Sequence, residues 1–109
     1  MKTIKITQMD GTLIHEHTSA TATYKSAIEE AYAAGKSFVK ANLAMMNLTG
    51  INLKGADLRG AYLSKSQLVD ADLRDTNLTD AVLFQANLRG CKMDNANLTN
   101  ANMNGVNRS

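Results

Sequence analysis

From Phe38 onward every fifth residue is large and apolar: Phe38, Leu43, Leu48, Leu53, Leu58, Leu63, Leu68, Leu73, Leu78, Leu83, Leu88, Met93, Leu98 and Met103. Two residues before each, from Ala41 to Ala101, eight of thirteen positions are Ala, the exceptions being Met46, Ile51, Ser66, Thr76 and Cys91. The residue between the small and the large one is Asn or Asp in nine of the fourteen units. A period of five suits neither a helix, on which the leucines would wander around the axis, nor a flat strand, on which they would alternate faces. Something must turn the chain every five residues. The pattern predicts short extended pieces joined by corners, four to a circuit of about 20 residues, with the large and small residues inward and circuits hydrogen-bonded at roughly the 4.8 Å strand spacing. Asn, Asp and Gly suit the corners because they tolerate tight-turn dihedrals, and the absence of proline preserves the donors between circuits.

Residues 1–35 follow a different rule. Lys2 to Thr7 alternates polar and apolar residues, and Leu13 to His17 follows the turn-forming pair Asp10-Gly11, which predicts a β-hairpin. The spacing then changes to Tyr24, Ala27, Ile28 and Ala31, one face of a helix of about three turns, with Thr23 placed to cap its start and Gly35 to end it. A helix this short needs tertiary packing, so its apolar face must dock. Composition breaks at the same place: no Asn occurs in residues 1–35 and eleven follow, whereas all three Glu, Glu16, Glu29 and Glu30, come first. The expected organisation is a hairpin with a capping helix over 1–35 and a repeat segment over 36–109, together one structural domain.

Four units, Ala56-Asp57-Leu58-Arg59-Gly60, Ala71-Asp72-Leu73-Arg74-Asp75, Ala86-Asn87-Leu88-Arg89-Gly90 and Ala96-Asn97-Leu98-Thr99-Asn100, resemble the A-(D/N)-L-x-x units of pentapeptide repeat proteins. The likeness covers residues 36–107 and suits a small member of bacterial or phage type. It implies an all-β solenoid, a right-handed quadrilateral β-helix of about three and a half coils, opened here by the hairpin and one capping α-helix. Lys36, too polar for an inward position, and Met46 and Ile51, larger than usual, predict an irregular first coil fitted to the helix.

The chain of 109 residues has twelve Lys or Arg against ten Asp or Glu, a net charge of +2, which leaves the partner open. Residues 1–35 carry −1 and residues 36–109 carry +3. No apolar stretch reaches the roughly 20 residues of a membrane span, and the N-terminus lacks a secretory pattern, so a cytoplasmic protein is expected. No nucleophile triad, paired Glu, phosphate-cradling Gly motif or nucleotide signature is present, so neither catalysis nor a cofactor is expected.

His15 and His17, two apart on a strand, share a face and could hold a metal; two exposed strand histidines is the simpler reading, because no further ligand accompanies them. Cys91 occupies a small inward position and reads as a buried, inert substitute for Ala. Positions 20 apart should stack, which puts Asp72 between Asn52 and Lys92, and Arg74 between Lys54 and Asp94, a mixed-charge ladder on a solvated face. A neighbouring face stacks Tyr62 on Val82 and places Phe84 one coil above Ser64. This cluster is either a partner contact or a patch covered by the hairpin.

At the far end Met103 and Val106 suggest a weak homodimer through the C-terminal coil, while Arg108 and the abundant Asn suggest a solvated monomer end. The function expected is a non-enzymatic protein–protein interaction or scaffold module with an unknown protein partner. The resemblance implies one alternative, a DNA mimic that binds a type II topoisomerase such as gyrase, but the positive repeat segment and short length count against it. Direct nucleic-acid binding is disfavoured too, because Lys54, Arg59, Arg74, Arg89 and Lys92 are spread over three faces among Asp residues.

Overall fold

The computed structural model describes residues 1–108; Ser109, the last residue of the expected repeat segment, lies outside the described residues. Beyond Phe38 the chain coils as the five-residue period requires. Parallel bridges join residues 20 apart, from Asn42 and Tyr62 through Asp72 and Lys92 to Asn87 and Asn107, so four units complete one circuit. The large residues from Phe38 to Leu88 are at most 1% exposed and stack into one apolar column with Ala41, Ile51, Ala61, Ala71, Ala81 and Ala86. Met93, Leu98 and Met103 pack partly buried against the end of that column.

The corners follow from where the backbone donors go. The N–H at the small position typically closes a turn onto the preceding large residue, as in Ala61 to the Leu58 carbonyl at 3.0 Å. The middle residue donates to the circuit below, as Tyr62 does to Ala41. The large residue and the one two beyond it donate to the circuit above, as Leu63 does to Val82 and Lys65 to Phe84. One donor per unit remains, that of the residue just after the large one. Each of the nine middle Asn or Asp residues accepts it through Oδ1, at 3.0 to 3.4 Å: Asn42 from Ala44, Asn47 from Thr49, Asn52 from Lys54, Asp57 from Arg59, Asp72 from Arg74, Asn77 from Thr79, Asn87 from Arg89, Asn97 from Thr99 and Asn102 from Asn104. These Asn and Asp residues therefore act through their side chains from the extended part of the unit, not by tolerating the turn dihedrals themselves.

The turn dihedrals fall elsewhere. The residue two after each large one has φ between +57° and +75° in all fourteen units: Gly at five, Asp70, Asp75, Asp80, Asn95 and Asn100 at five more, and Lys40, Met45, Lys65 and Gln85 at the rest, so Asn, Asp and Gly do occupy the corners for the dihedral reason expected. A left-handed third residue and a bond across the turn are the features of a type II turn. Ser66 and Thr76, which replace Ala inside, remain buried because their hydroxyls donate to the Leu63 and Leu73 carbonyls at 2.7 and 2.8 Å.

The N-terminal segment closes the first circuit. Strands β1 (Lys2–Thr7) and β2 (Leu13–Ser19) form an antiparallel hairpin, with Ile4 and Ile6 buried on one face. The end of β1 runs into the repeat: Thr7 O accepts from Asn42 N at 2.8 Å, Met9 N donates to Lys40 O at 3.0 Å, and Gln8 bridges Ala41 antiparallel. Helix α1 (Tyr24–Ala33) starts with a reciprocal Thr23–Ser26 cap. It ends on Gly35 at φ +74°, with Gly35 N on Tyr32 O and Lys36 N on Ala31 O.

Lys36 thus belongs to the helix terminus, which explains its departure from the inward pattern, and the regular units begin at Phe38. Ile51 is fully buried in a regular unit, whereas Met46 is only partly buried. The buried helical face is Ala27, Ile28 and Ala31; Tyr24, expected on it, is 49% exposed beside Asn47. Tyr32 packs against the core instead, and its hydroxyl donates to the Lys54 carbonyl.

Leu68→Ala should cost about 2–5 kcal/mol through lost burial and a cavity. Asn77→Ala, which strands the Thr79 N–H, should cost about 1 kcal/mol. Thermal melts should show Asn77→Asp close to wild type, because it keeps the Oδ1 acceptor. A second series probes the turns. Gly55 has open space at its Cβ position, so Gly55→Ala should cost about 1–2 kcal/mol from its positive φ alone. At Gly90 an added Cβ meets the Asp70 carboxylate, so Gly90→Ala should cost more, and Asp70→Ala should remove the excess.

Candidate interaction face and neighbouring groups

Tyr62 and Val82 occupy middle positions that elsewhere hold Asn or Asp, and a parallel bridge stacks one on the other. Neither side chain has an oxygen placed to accept the donor two residues on, so the N–H groups of Ser64 and Phe84 lack the side-chain cap that Asn42 gives Ala44 and Asn102 gives Asn104 in the same column. The substitution therefore does two things at once. It creates an apolar outer surface and it leaves two backbone donors open along its edge. Tyr62 is 36% and Phe84 37% exposed, while Val82 between them is partly buried.

The hairpin covers this face only in part. Its turn is held compact by Gln8 N to Thr12 O, Gly11 N to Gln8 O and Thr12 N to Asp10 Oδ1. Gln8, Met9 and Asp10 form one wall of an open groove of about 320 Å³, and Lys40, Gly60, Tyr62 and Asp80 complete it. Met9 is half exposed at the rim. Asp10 is held below the usual carboxylate range, first by the Thr12 backbone N–H and then by the Thr12 side chain, with the Lys40 charge contributing. Sequence reasoning selected Tyr62, Val82 and Phe84 but missed Gln8, Met9, Asp10 and Lys40, because no pattern announces an antiparallel contact between a hairpin turn and the first repeat.

The mixed-charge columns stack as expected, with Asn52 bridged to Asp72 and Asp72 to Lys92. The closest ion pairs, however, lie within a circuit. Arg74 forks onto Asp72 with Nε to Oδ1 at 2.9 Å and a terminal nitrogen to Oδ2 at 2.7 Å, and Arg59 does the same to Asp57. The Arg74 hydrogen bonds bring Asp72 down to about 2. The Arg59 and Arg74 guanidinium groups are thus already engaged by the carboxylates that cap their own backbone.

His15 and His17 are not the exposed pair expected. Their side chains are 14% and 13% exposed and turn onto α1, where both bond to Glu30. Among the described residues no group of three or more His, Cys, Asp or Glu is arranged to hold a metal ion. Cys91 points inward but is only partly buried, and burial pushes its thiol up to about 11. Met103 and Val106 are likewise partly buried, against the end of the core. Among the described residues no helix is long and apolar enough to cross a membrane.

A family profile for pentapeptide repeats matches residues 37–75 and 76–107. Among solved structures, the pentapeptide repeat protein Rfr23 from the cyanobacterium Cyanothece 51142 is 32% identical over 64% of this chain and 54% of its own, with a TM-score of 0.53. The pentapeptide repeat protein alr5209 from Nostoc PCC 7120 is 35% identical over 82% of this chain and 78% of its own, with a TM-score of 0.45. The chain therefore spans about half the length of Rfr23 (54%). No curated protein matches it.

The Asp72 assignment has a direct check. Its depressed carboxyl contributes stability above the ordinary value of 3.8, which is lost as pH falls through about 2. Carboxyl carbon NMR should show Asp72 titrating near that lower value, and Arg74→Ala should move its midpoint back toward 3.8.

Proposed function

This chain belongs to the pentapeptide repeat family, whose fold is a right-handed β-helix, and from that premise we propose that it is a non-enzymatic protein–protein interaction module. Its repeat segment makes about three and a half coils, fourteen units at four to a circuit. The partner, a protein, docks on the face carrying Tyr62, Val82 and Phe84. The observation that carries this reading is the local loss of the Asx cap at Tyr62 and Val82, which puts exposed aromatic surface beside open backbone donors. Aromatic anchors and donors that a partner's carbonyl groups can satisfy are what an interface core requires. Elsewhere on the rod the corner donors are mostly closed by their own side chains.

The alternative, a gyrase-binding DNA mimic, needs an extended acidic surface. The repeat segment is net positive, with nine Lys or Arg against six Asp, which counts against it.

A photo-cross-linking residue in place of Phe84 should trap a protein partner in host extract, and the same residue in place of Asn77 should not. Capture by the tagged wild type should drop at least tenfold in Tyr62→Ser/Phe84→Ser and survive in Arg59→Ala, with melting temperatures recorded for each. Equal capture by all three proteins would remove this face from the binding site. Inhibition of gyrase supercoiling by the purified chain would favour the mimic instead.

A further inference from the structure

The cap contains a three-residue polar bridge that the interaction reading does not use. His15 Nε2 lies 2.8 Å from Glu30 Oε1, and His17 Nδ1 lies 2.6 Å from Oε2 of the same carboxylate. The register explains how the imidazoles come together. His15 pairs with Ile6 and His17 with Ile4, so both rings share the buried face of the hairpin with those isoleucines. A ring nitrogen on such a face needs a partner, and one carboxylate from α1 serves both. We propose that Glu30, His15 and His17 form a pH-responsive latch holding the hairpin to the cap helix, closed while Glu30 is ionised and released when Glu30 takes up a proton.

Few other charges face it. On β1, Lys5 pairs with Glu16 of β2 on the opposite face, and Lys2 sits beside Ser19 at the exposed strand start. On α1, Glu29 is exposed and the Lys25 ammonium reaches toward Gly50 of the repeat. Glu30 is held below its ordinary value of 4.5, first by the His15 hydrogen bond and then by that of His17, with partial burial opposing both. A carboxyl lowered in this way contributes stability above 4.5 that is lost as pH falls through its folded value. The latch thus holds while Glu30 is ionised and opens in strong acid.

The geometry also dictates proton positions. A carboxylate only accepts, so at alkaline pH the neutral His15 must carry its proton on Nε2 and the neutral His17 on Nδ1. Two histidines in one strand are thereby held in opposite tautomers. Nitrogen-15 NMR of the full chain at pH 8 should show this pair, and in Glu30→Gln the His17 signal should shift toward the Nε2–H form usual for a free imidazole. Thermal melts from pH 3 to pH 8 should give a wild-type advantage over Glu30→Gln that is present above pH 4.5 and shrinks as the pH falls below it. Glu29→Gln, the exposed neighbour, should show no such pH-dependent gap to wild type. Matching tautomers at pH 8, or a gap between wild type and Glu30→Gln that does not change with pH, would overturn the latch.

Discussion

Every other feature of this molecule depends on finding an acceptor for each backbone N–H within a five-residue corner. A buried peptide donor left without a partner costs about 1–3 kcal/mol, so a structure that repeats the corner many times satisfies most of its donors, with Ser64 and Phe84 as departures. The turn takes one donor, the circuit below takes one and the circuit above takes two. The fifth faces outward just after the large residue, and an Asn or Asp two positions earlier reaches it. That reach explains why the polar middle position favours Asn and Asp, whose short side chains form this local bond, over longer polar residues. The inward Leu and Ala supply the apolar column that makes the coil worth closing.

The same accounting explains the cap. Asn42 has no earlier circuit to donate to, and the carbonyl of Thr7 takes the place of one. Helix α1 lies over the open end of the apolar column and buries Ala27, Ile28 and Ala31, while Tyr32 satisfies a repeat carbonyl with its hydroxyl. The hairpin and helix are then joined by Glu30 and its two imidazoles. A solenoid needs such an end piece because each unit contacts only its neighbours and a bare end exposes both apolar surface and unpaired edge.

Departures from the unit give the faces of this architecture their different chemistry. A position on the outer surface recurs every 20 residues, so a face is composed by every fourth unit alone. Replacing the middle Asn by Tyr62 and the next one up by Val82 changes one face while the inward Leu63 and Leu83 remain fully buried. The Asp57–Arg59 and Asp72–Arg74 forks lie on other faces and use the carboxylate both as backbone cap and as ion-pair partner. They lower the share of unengaged positive charge without altering the fold.

The repeat, the hairpin and the helix were all legible in the residues. Period, inward identity and the 20-residue stacking of Tyr62 on Val82 depend on contacts within one unit or at a fixed offset, and a fixed offset can be counted along the chain. The purpose of the middle Asn was not, because side-chain capping and tolerance of positive φ favour the same residue types. Nor could counting reveal that Tyr24 stays outside and Tyr32 goes in, that His15 and His17 turn onto Glu30, or that Met9 and Asp10 border Tyr62. By itself the sequence determined a coil of five-residue units with one apolar face. Only the tertiary structure decided how that coil is closed and what stands beside its face, because the hairpin, the helix and the first circuit dock through contacts that follow no period.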